Sequence, residues 1–308
     1  MVGVRKILNL SGAGTKISGL AGACDYIFNV LGYRPTDISG ISSGGILSVP
    51  MALRKWDLLR EITQVFNIDD IFDIKPINKK NKVSFKAILR AIFGESSLGT
   101  QNTLKKTISK IITEKEFNRY QEGDFPNCWI GTIDFKTADR LIVNIKEKKY
   151  SYDDYLVLTN ASASIPLAVE GVEFNFNGEK KILYDGGVRN HILSSWMLKN
   201  IPNVSESISV FSRPKRYVDI LDPTWVNKNM LDVFMRLTDI NSIEISKKDE
   251  IEELYLIELM NHKSLNKIKN KQIFIPYIIK DLYDTNPKKL RKLYNFGFKS
   301  ATNALVDW

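Results

Sequence analysis

The run Gly40-Ile41-Ser42-Ser43-Gly44 constrains the fold of this 308-residue chain more than any other feature. A strand pattern over residues 36–39 leads into it, and a helical pattern over residues 46–59 leads out, with Pro50 expected in the first turn or at a kink. A serine on so sharp a strand-to-helix turn needs small neighbours, because its backbone is strained and close to the preceding strand. The turn lifts the hydroxyl above the sheet edge and aims the N-terminus of the helix at it. The competing reading is a Ser/Gly-rich helix cap. Upstream, residues 4–10 carry apolar side chains at 4, 7, 8 and 10, which predicts a buried strand. Residues 20–31 have helical spacing, with Gly32 just past the helix end and Pro35 beyond it. Alternation of this kind predicts an α/β fold, a parallel sheet covered on both faces.

Residues 60–125 are richer in Lys and Asn and read as a helical insertion on the core. Within it Phe85, Ile88, Leu89, Ile92 and Phe93 share one helical face, with Lys79, Lys80, Lys82, Lys86 and Arg90 nearby. That face either packs on the core inside a solvated lysine rim or lies in an anionic membrane interface. Strands are expected at 129–132 and 140–145, as a hairpin around 136–139, and at 180–184 before Asp185-Gly186-Gly187. Beyond about residue 220 the pattern is mostly helical, as over 246–260, and no repeat or linker divides the chain, so one domain is expected.

Composition narrows the function classes. Hydrophobic residues at 44% and charged residues at 26% exclude a disordered chain. No apolar run approaches the ~20 residues of a membrane span, and no signal-peptide core follows Arg5 and Lys6. Cys24 and Cys128 are the only cysteines, which excludes a disulfide framework and predicts a reducing, cytoplasmic setting, peripheral to membranes at most. The net charge of +9 favours an anionic partner. The basic residues are scattered and form no recognised module, so nucleic acid is not expected.

A serine nucleophile needs a base and an oxyanion hole. Ser11-Gly12-Ala13-Gly14-Thr15-Lys16 follows the first strand, where backbone N–H groups can converge on an oxyanion. As a dinucleotide fingerprint it fails, with Ile17 at the third glycine and Asp37 placed before the Gly40 turn. As a P-loop it lacks the closing Gly-Lys-Ser/Thr. Asp185 is a candidate base, since two glycines free its carboxylate to point across the sheet edge; an Asp-Gly turn is the plainer alternative. The chain has two histidines: His191 follows Asp185 too closely for a strand-separated triad, and His262 lies in a polar, solvent-facing stretch.

Ser11–Lys16, Gly40-Ile41-Ser42-Ser43-Gly44-Gly45, Ala161-Ser162-Ala163-Ser164-Ile165-Pro166 and Asp185-Gly186-Gly187-Val188 stand in the order found in patatin-like phospholipases, which residues 4–195 resemble. The resemblance implies a three-layer α/β/α sandwich around a mostly parallel sheet. It also implies a lipid acyl hydrolase of phospholipase A type acting on glycerophospholipids. Ser42 would be its nucleophile, Asp185 the proton acceptor, and the backbone of Gly12, Ala13 and Gly14 the oxyanion hole. Lys16 falls where the family has a basic residue, and Gly40, Gly44, Gly186 and Gly187 complete the motifs. No cofactor and no metal are implied. Ala13 and Ile17 depart from the family's glycine pattern, and after Asp185-Gly186-Gly187 the family's Asn-Pro is met only by Asn190. Two alternatives stay open: a Ser-His-Asp esterase or thioesterase on soluble esters, and a catalytically silent lipid- or protein-binding module.

Overall fold

A computed structural model describes residues 3–76, 83–216, 226, 230–263, 267–276 and 284–308. Lys79, Lys80 and Lys82 lie outside the described residues. The strands are β1 (Arg5–Leu10), β2 (Asp37–Ile41), β3 (Asn127–Asp134), β4 (Arg140–Asn144), β5 (Val172–Phe176), β6 (Glu179–Asp185), β7 (Val204–Phe211) and β8 (Lys269–Phe274). They form one sheet in the order β5-β6-β3-β2-β1-β7-β8, with β4 paired to β3. β3, β2, β1, β7 and β8 run parallel, while β4, β5 and β6 pair antiparallel. The expected mostly parallel sheet is therefore present, with an antiparallel wing.

The helices are α1 (Ile17–Asp25), α2 (Ser43–Ala52), α3 (Trp56–Val65), α4 (Phe85–Ile92) and α5 (Asn102–Ile111). They continue as α6 (Glu114–Glu122), α7 (Tyr152–Ser162), α8 (Ser194–Asn200), α9 (Met230–Lys263) and α10 (Pro287–Ala304). Side chains alternate across a strand, so each strand serves both faces. On one face Leu8, Leu10, Ile38, Ile130, Ile208, Val210 and Ile273 join α1, α2, α3, α7 and α10 in the main apolar core. On the other, Ile7 and Ile41 pack with Leu193 just before α8, with Met197 and Leu198 of α8, and with Ile257 of α9. The central residues of that second face are polar: Asn9, Ser39, Ser207 and Ser209 are all fully buried, as is Glu253 on α9.

The structure corrects several local expectations. The helix expected over 46–59 is two helices, because Arg54 adopts a left-handed φ of 58° between α2 and α3. Pro50 sits in the last turns of α2, and the Leu53 N–H donates past it to the Val49 carbonyl. The helix expected over 20–31 ends at Asp25 and continues as a wider π-turn, Tyr26–Val30, before Gly32 at φ 70°. Within the mostly helical tail, β8 adds a parallel strand beside β7 that the pattern did not indicate. The face of α4 does not pack on the core, since Phe85, Ile92 and Phe93 are each more than 70% exposed.

Candidate active site

Ser42 closes β2 and caps α2 with φ 55° and ψ −122°, a left-handed backbone that a non-glycine residue adopts only under constraint. The constraint is visible on both sides. A Cβ on Gly40 would lie 2.2 Å from the Gly44 carbonyl carbon, and one on Gly44 would lie 2.6 Å from the Leu10 carbonyl oxygen. Only glycine allows β1, β2 and α2 to approach this closely, which is why the motif requires those residues. The Ser42 N–H donates to Ser162 Oγ at 2.9 Å, and Ser162 Oγ donates to the Gly131 carbonyl at 2.7 Å. The strained turn is thus pinned to β3.

Asp185 reaches Ser42 through strand register. Gly131 of β3 pairs with Ile41, and the next residue, Thr132, pairs with Asp185. Because β4 occupies the other edge of β3, β6 must take over where β2 turns away, so both strands end at the same point. The Ser42 hydroxyl lies close enough to the Asp185 carboxyl to act on its ionisation. Asp185 Oδ1 also accepts from the Gly187 N–H at 2.7 Å, and the Asp185 N–H donates to the Ser164 carbonyl at 2.9 Å. Burial pushes the Asp185 carboxyl up to about 6, against the opposing pull of the Gly187 N–H and the nearby Ser42 hydroxyl.

The loop after β1 lies over this pair. A Cβ on Gly12 would be 3.6 Å from Ser42 Cβ. The Gly12 N–H is already committed, donating to the His191 carbonyl at 2.8 Å, so it is not free to hold an oxyanion as the resemblance implied. The N–H groups of Ala13 and Gly14 have no hydrogen-bond partner among the described residues. Ala13 has φ −145°, which its side chain tolerates, and Gly14 supplies the positive φ of 53°. Ile17 begins α1 at φ −48°, so the loop turns without a glycine there. Lys16 is half-buried, and its charge acts on His191.

Neither histidine bonds to Ser42. His191 is half-buried beside Gly12, and its Nε2 meets Ser242 Oγ at 2.6 Å. Burial, with the nearby charges of Lys16 and Arg213, lowers its pKa to about 4 and keeps it neutral. His262 is exposed at the end of α9. Asp37 lies at the opposite end of β2, occupied by Arg5 at 2.5 Å and by Trp129 Nε1 at 3.0 Å.

An apolar cavity of about 130 Å³ opens beside Ser42. Its walls include Ile46 and Leu47 of α2, Leu59 and Ile62 of α3, Leu104 of α5, and Ile165. Two supports of the site have roles that only the fold reveals. Ser162 and Ser164, in the Ala/Ser-rich motif, hold the turns at Ser42 and Asp185, and Gln101 donates to Ser164 Oγ at 2.5 Å. Their motif position was the available signal for the serines; Gln101 had none.

The profile of patatin-like phospholipases matches residues 8–193, from within β1 to the residue before α8. The chain belongs to the patatin-like phospholipase family. Membership supports hydrolysis of lipid acyl esters as its general activity. The crystal structure of VipD from Legionella pneumophila is similar in fold, with a TM-score of 0.50 at 12% identity, over 99% of this chain and 67% of VipD. No curated protein sequence matches the chain. β8, α10 and most of α9's partners on β7 lie beyond the patatin-matched segment, yet β7 and β8 complete its sheet. Among the described residues no helix is long and apolar enough to cross a membrane.

Proposed function

We propose that this patatin-like protein is a serine hydrolase of phospholipase A type, with Ser42 as nucleophile and Asp185 as its base. The observation that carries the reading is the juxtaposition of a conformationally strained serine and a buried carboxyl where β2 and β6 both end against β3. Asp185 takes the proton as Ser42 Oγ attacks the acyl carbonyl carbon. The Ala13 and Gly14 N–H groups stabilise the tetrahedral oxyanion, assisted by the N-terminus of α2. Collapse breaks the ester bond, and Asp185 returns its proton to the departing alcohol. Water then attacks the acyl-enzyme, losing its proton to Asp185, and the fatty acid leaves as Ser42 is reprotonated. No step requires an imidazole.

The cavity beside Ser42 supports an acyl chain as the group bound, since its walls offer hydrocarbon contact and few polar partners. The exposed Phe85, Ile88, Ile92 and Phe93 of α4 support contact with a membrane surface, and the net charge of +9 supports an anionic one. α4 is tied to the site's rim, because Arg90 pairs with Glu170 at 2.5 Å and the Leu98 N–H donates to the Leu167 carbonyl, just beyond Ile165. Two buried free thiols accord with a cytoplasmic setting. The test is calcium-free incubation of wild type and Ser42→Ala with mixed phospholipid vesicles, with products read by mass spectrometry. Ser42-dependent release of fatty acid is expected; equal release by both proteins would refute the nucleophile.

A further inference from the structure

Asp249 lies on α9, beyond the segment that matches the family, and is 1% exposed. Its carboxylate gathers three donors from three consecutive residues of the segment after the Asp-Gly-Gly turn. Oδ1 accepts from Asn190 Nδ2 at 2.7 Å, and Oδ2 accepts from the N–H groups of His191 at 2.6 Å and Ile192 at 3.2 Å. The other end of His191 reaches the proposed oxyanion loop, since its carbonyl accepts from the Gly12 N–H at 2.8 Å. The Gly12 carbonyl is held in turn by the hydroxyls of Ser212, at 2.5 Å, and Ser11, at 3.0 Å. Both polar groups of Gly12 are therefore fixed, immediately before the free N–H groups of Ala13 and Gly14.

We infer that Asp249 is a positioning residue for the oxyanion loop, acting through the backbone of residues 190–192 and the Gly12 amide. The inference rests on the proposed role of Ser42 and the loop. A buried carboxylate is costly to place, and here three N–H donors offset that cost. An apolar side chain at the same position would leave those donors unpaired, free to pull residues 190–192 out of register. Oxyanion donors act only at hydrogen-bond distance from the developing charge, so a displacement of about 1 Å costs roughly 10²-fold in rate. Glu253 provides an internal control. It is equally buried, one turn further along α9, but bonds to Ser209 at 2.6 Å and Gln272 at 2.9 Å, neither of which belongs to the loop or to residues 190–192.

The test compares Asp249→Leu, Asp249→Asn and Glu253→Leu in the full chain. Three readouts are used: the rate of labelling by a fluorophosphonate, hydrogen exchange at the Gly12 amide, and thermal stability. Asp249→Leu is expected to label about 10²-fold more slowly and to lose protection at Gly12. Asp249→Asn should recover most of the rate, because its amide oxygen still accepts from His191 and Ile192. Glu253→Leu should lose stability yet label at the wild-type rate. Wild-type labelling by Asp249→Leu, or equal slowing by Glu253→Leu, would overturn the inference. Should Asp249→Leu not fold, the smaller Asp249→Ala, which also removes the acceptor, decides through exchange: unchanged protection at Gly12 would overturn the inference, and several-fold faster exchange would uphold it. A wild-type protein that does not label counts against the Ser42–Asp185 reading, and exchange at Gly12 then decides the clamp alone.

Discussion

The two faces of the central sheet are built on opposite principles, and the site lies where they meet. Toward α1, α2, α3, α7 and α10 the strands present Leu, Ile, Val and Cys, and the cavity beside Ser42 extends this apolar layer outward. Toward α9 the same strands present a buried polar seam. Asn9 donates to Ser207 and Ser209 at 3.2 and 3.1 Å and accepts from Ser39 at 2.7 Å, and Ser209 donates onward to Glu253. One face gains stability from area removed from water, the other from directional bonds that must all be satisfied. The contrast suits the chemistry. A hydrocarbon chain needs an apolar wall, whereas an oxyanion loop needs fixed direction.

Neighbouring residues of β1 offer the largest test of this contrast. Leu8→Ala, on the apolar face, should cost about 2–5 kcal/mol, read as a shift of the denaturation midpoint with unchanged slope. Asp185→Asn should act in the opposite sense. A carboxyl whose folded pKa is raised contributes its stability below its unfolded value near 4, and that contribution is lost as pH rises through about 6. Asp185→Asn is therefore expected to be more stable than wild type by up to about 3 kcal/mol at pH 8, with the gain vanishing toward pH 4. A gain that is constant with pH would show that Asp185 is not buried in this way.

Asn9→Leu, on the polar seam, should cost about 1–3 kcal/mol even though it adds apolar surface, because Ser39, Ser207 and Ser209 lose their common partner. A stabilised Asn9→Leu protein would break the comparison. The smallest effect on folding belongs to α4. Phe93→Ser, at an exposed position, should change stability by less than about 0.5 kcal/mol while weakening sedimentation with anionic vesicles about tenfold. Unaltered vesicle binding would remove α4 from the membrane reading.

The apolar face was the legible one. Leu8, Leu10 and the Gly40–Gly44 turn carry their burial and backbone needs in their own residue types, so the strand and the strained turn at Ser42 could be read directly. The polar seam could not be read in this way. Ser205, Ser207 and Ser209 alternate with Val204, Glu206, Ile208 and Val210 along β7, which resembles a half-solvated strand, and nothing local indicates that α9 covers it. β8 is missed for the same reason, since Lys269-Asn270-Lys271-Gln272 reads as surface. Asp185 was legible only through its motif, because its meeting with Ser42 depends on β6 replacing β2 along β3, a register no short window contains. The loss of Gly12 as an oxyanion donor arises from a partner, the His191 carbonyl, that sequence spacing gives no reason to expect.

The proposed chemistry requires a carboxylate to act as the base without a histidine. The direct measurement is calcium-free hydrolysis of a soluble ester from about pH 4 to 8 by wild type and Asp185→Asn. Because Asp185 must be ionised to accept the Ser42 proton, wild-type kcat/KM should rise through a single ionisation near 6 and then level, and Asp185→Asn should be inactive across the range. An Asp185→Asn protein that retains turnover with the same profile would contradict it.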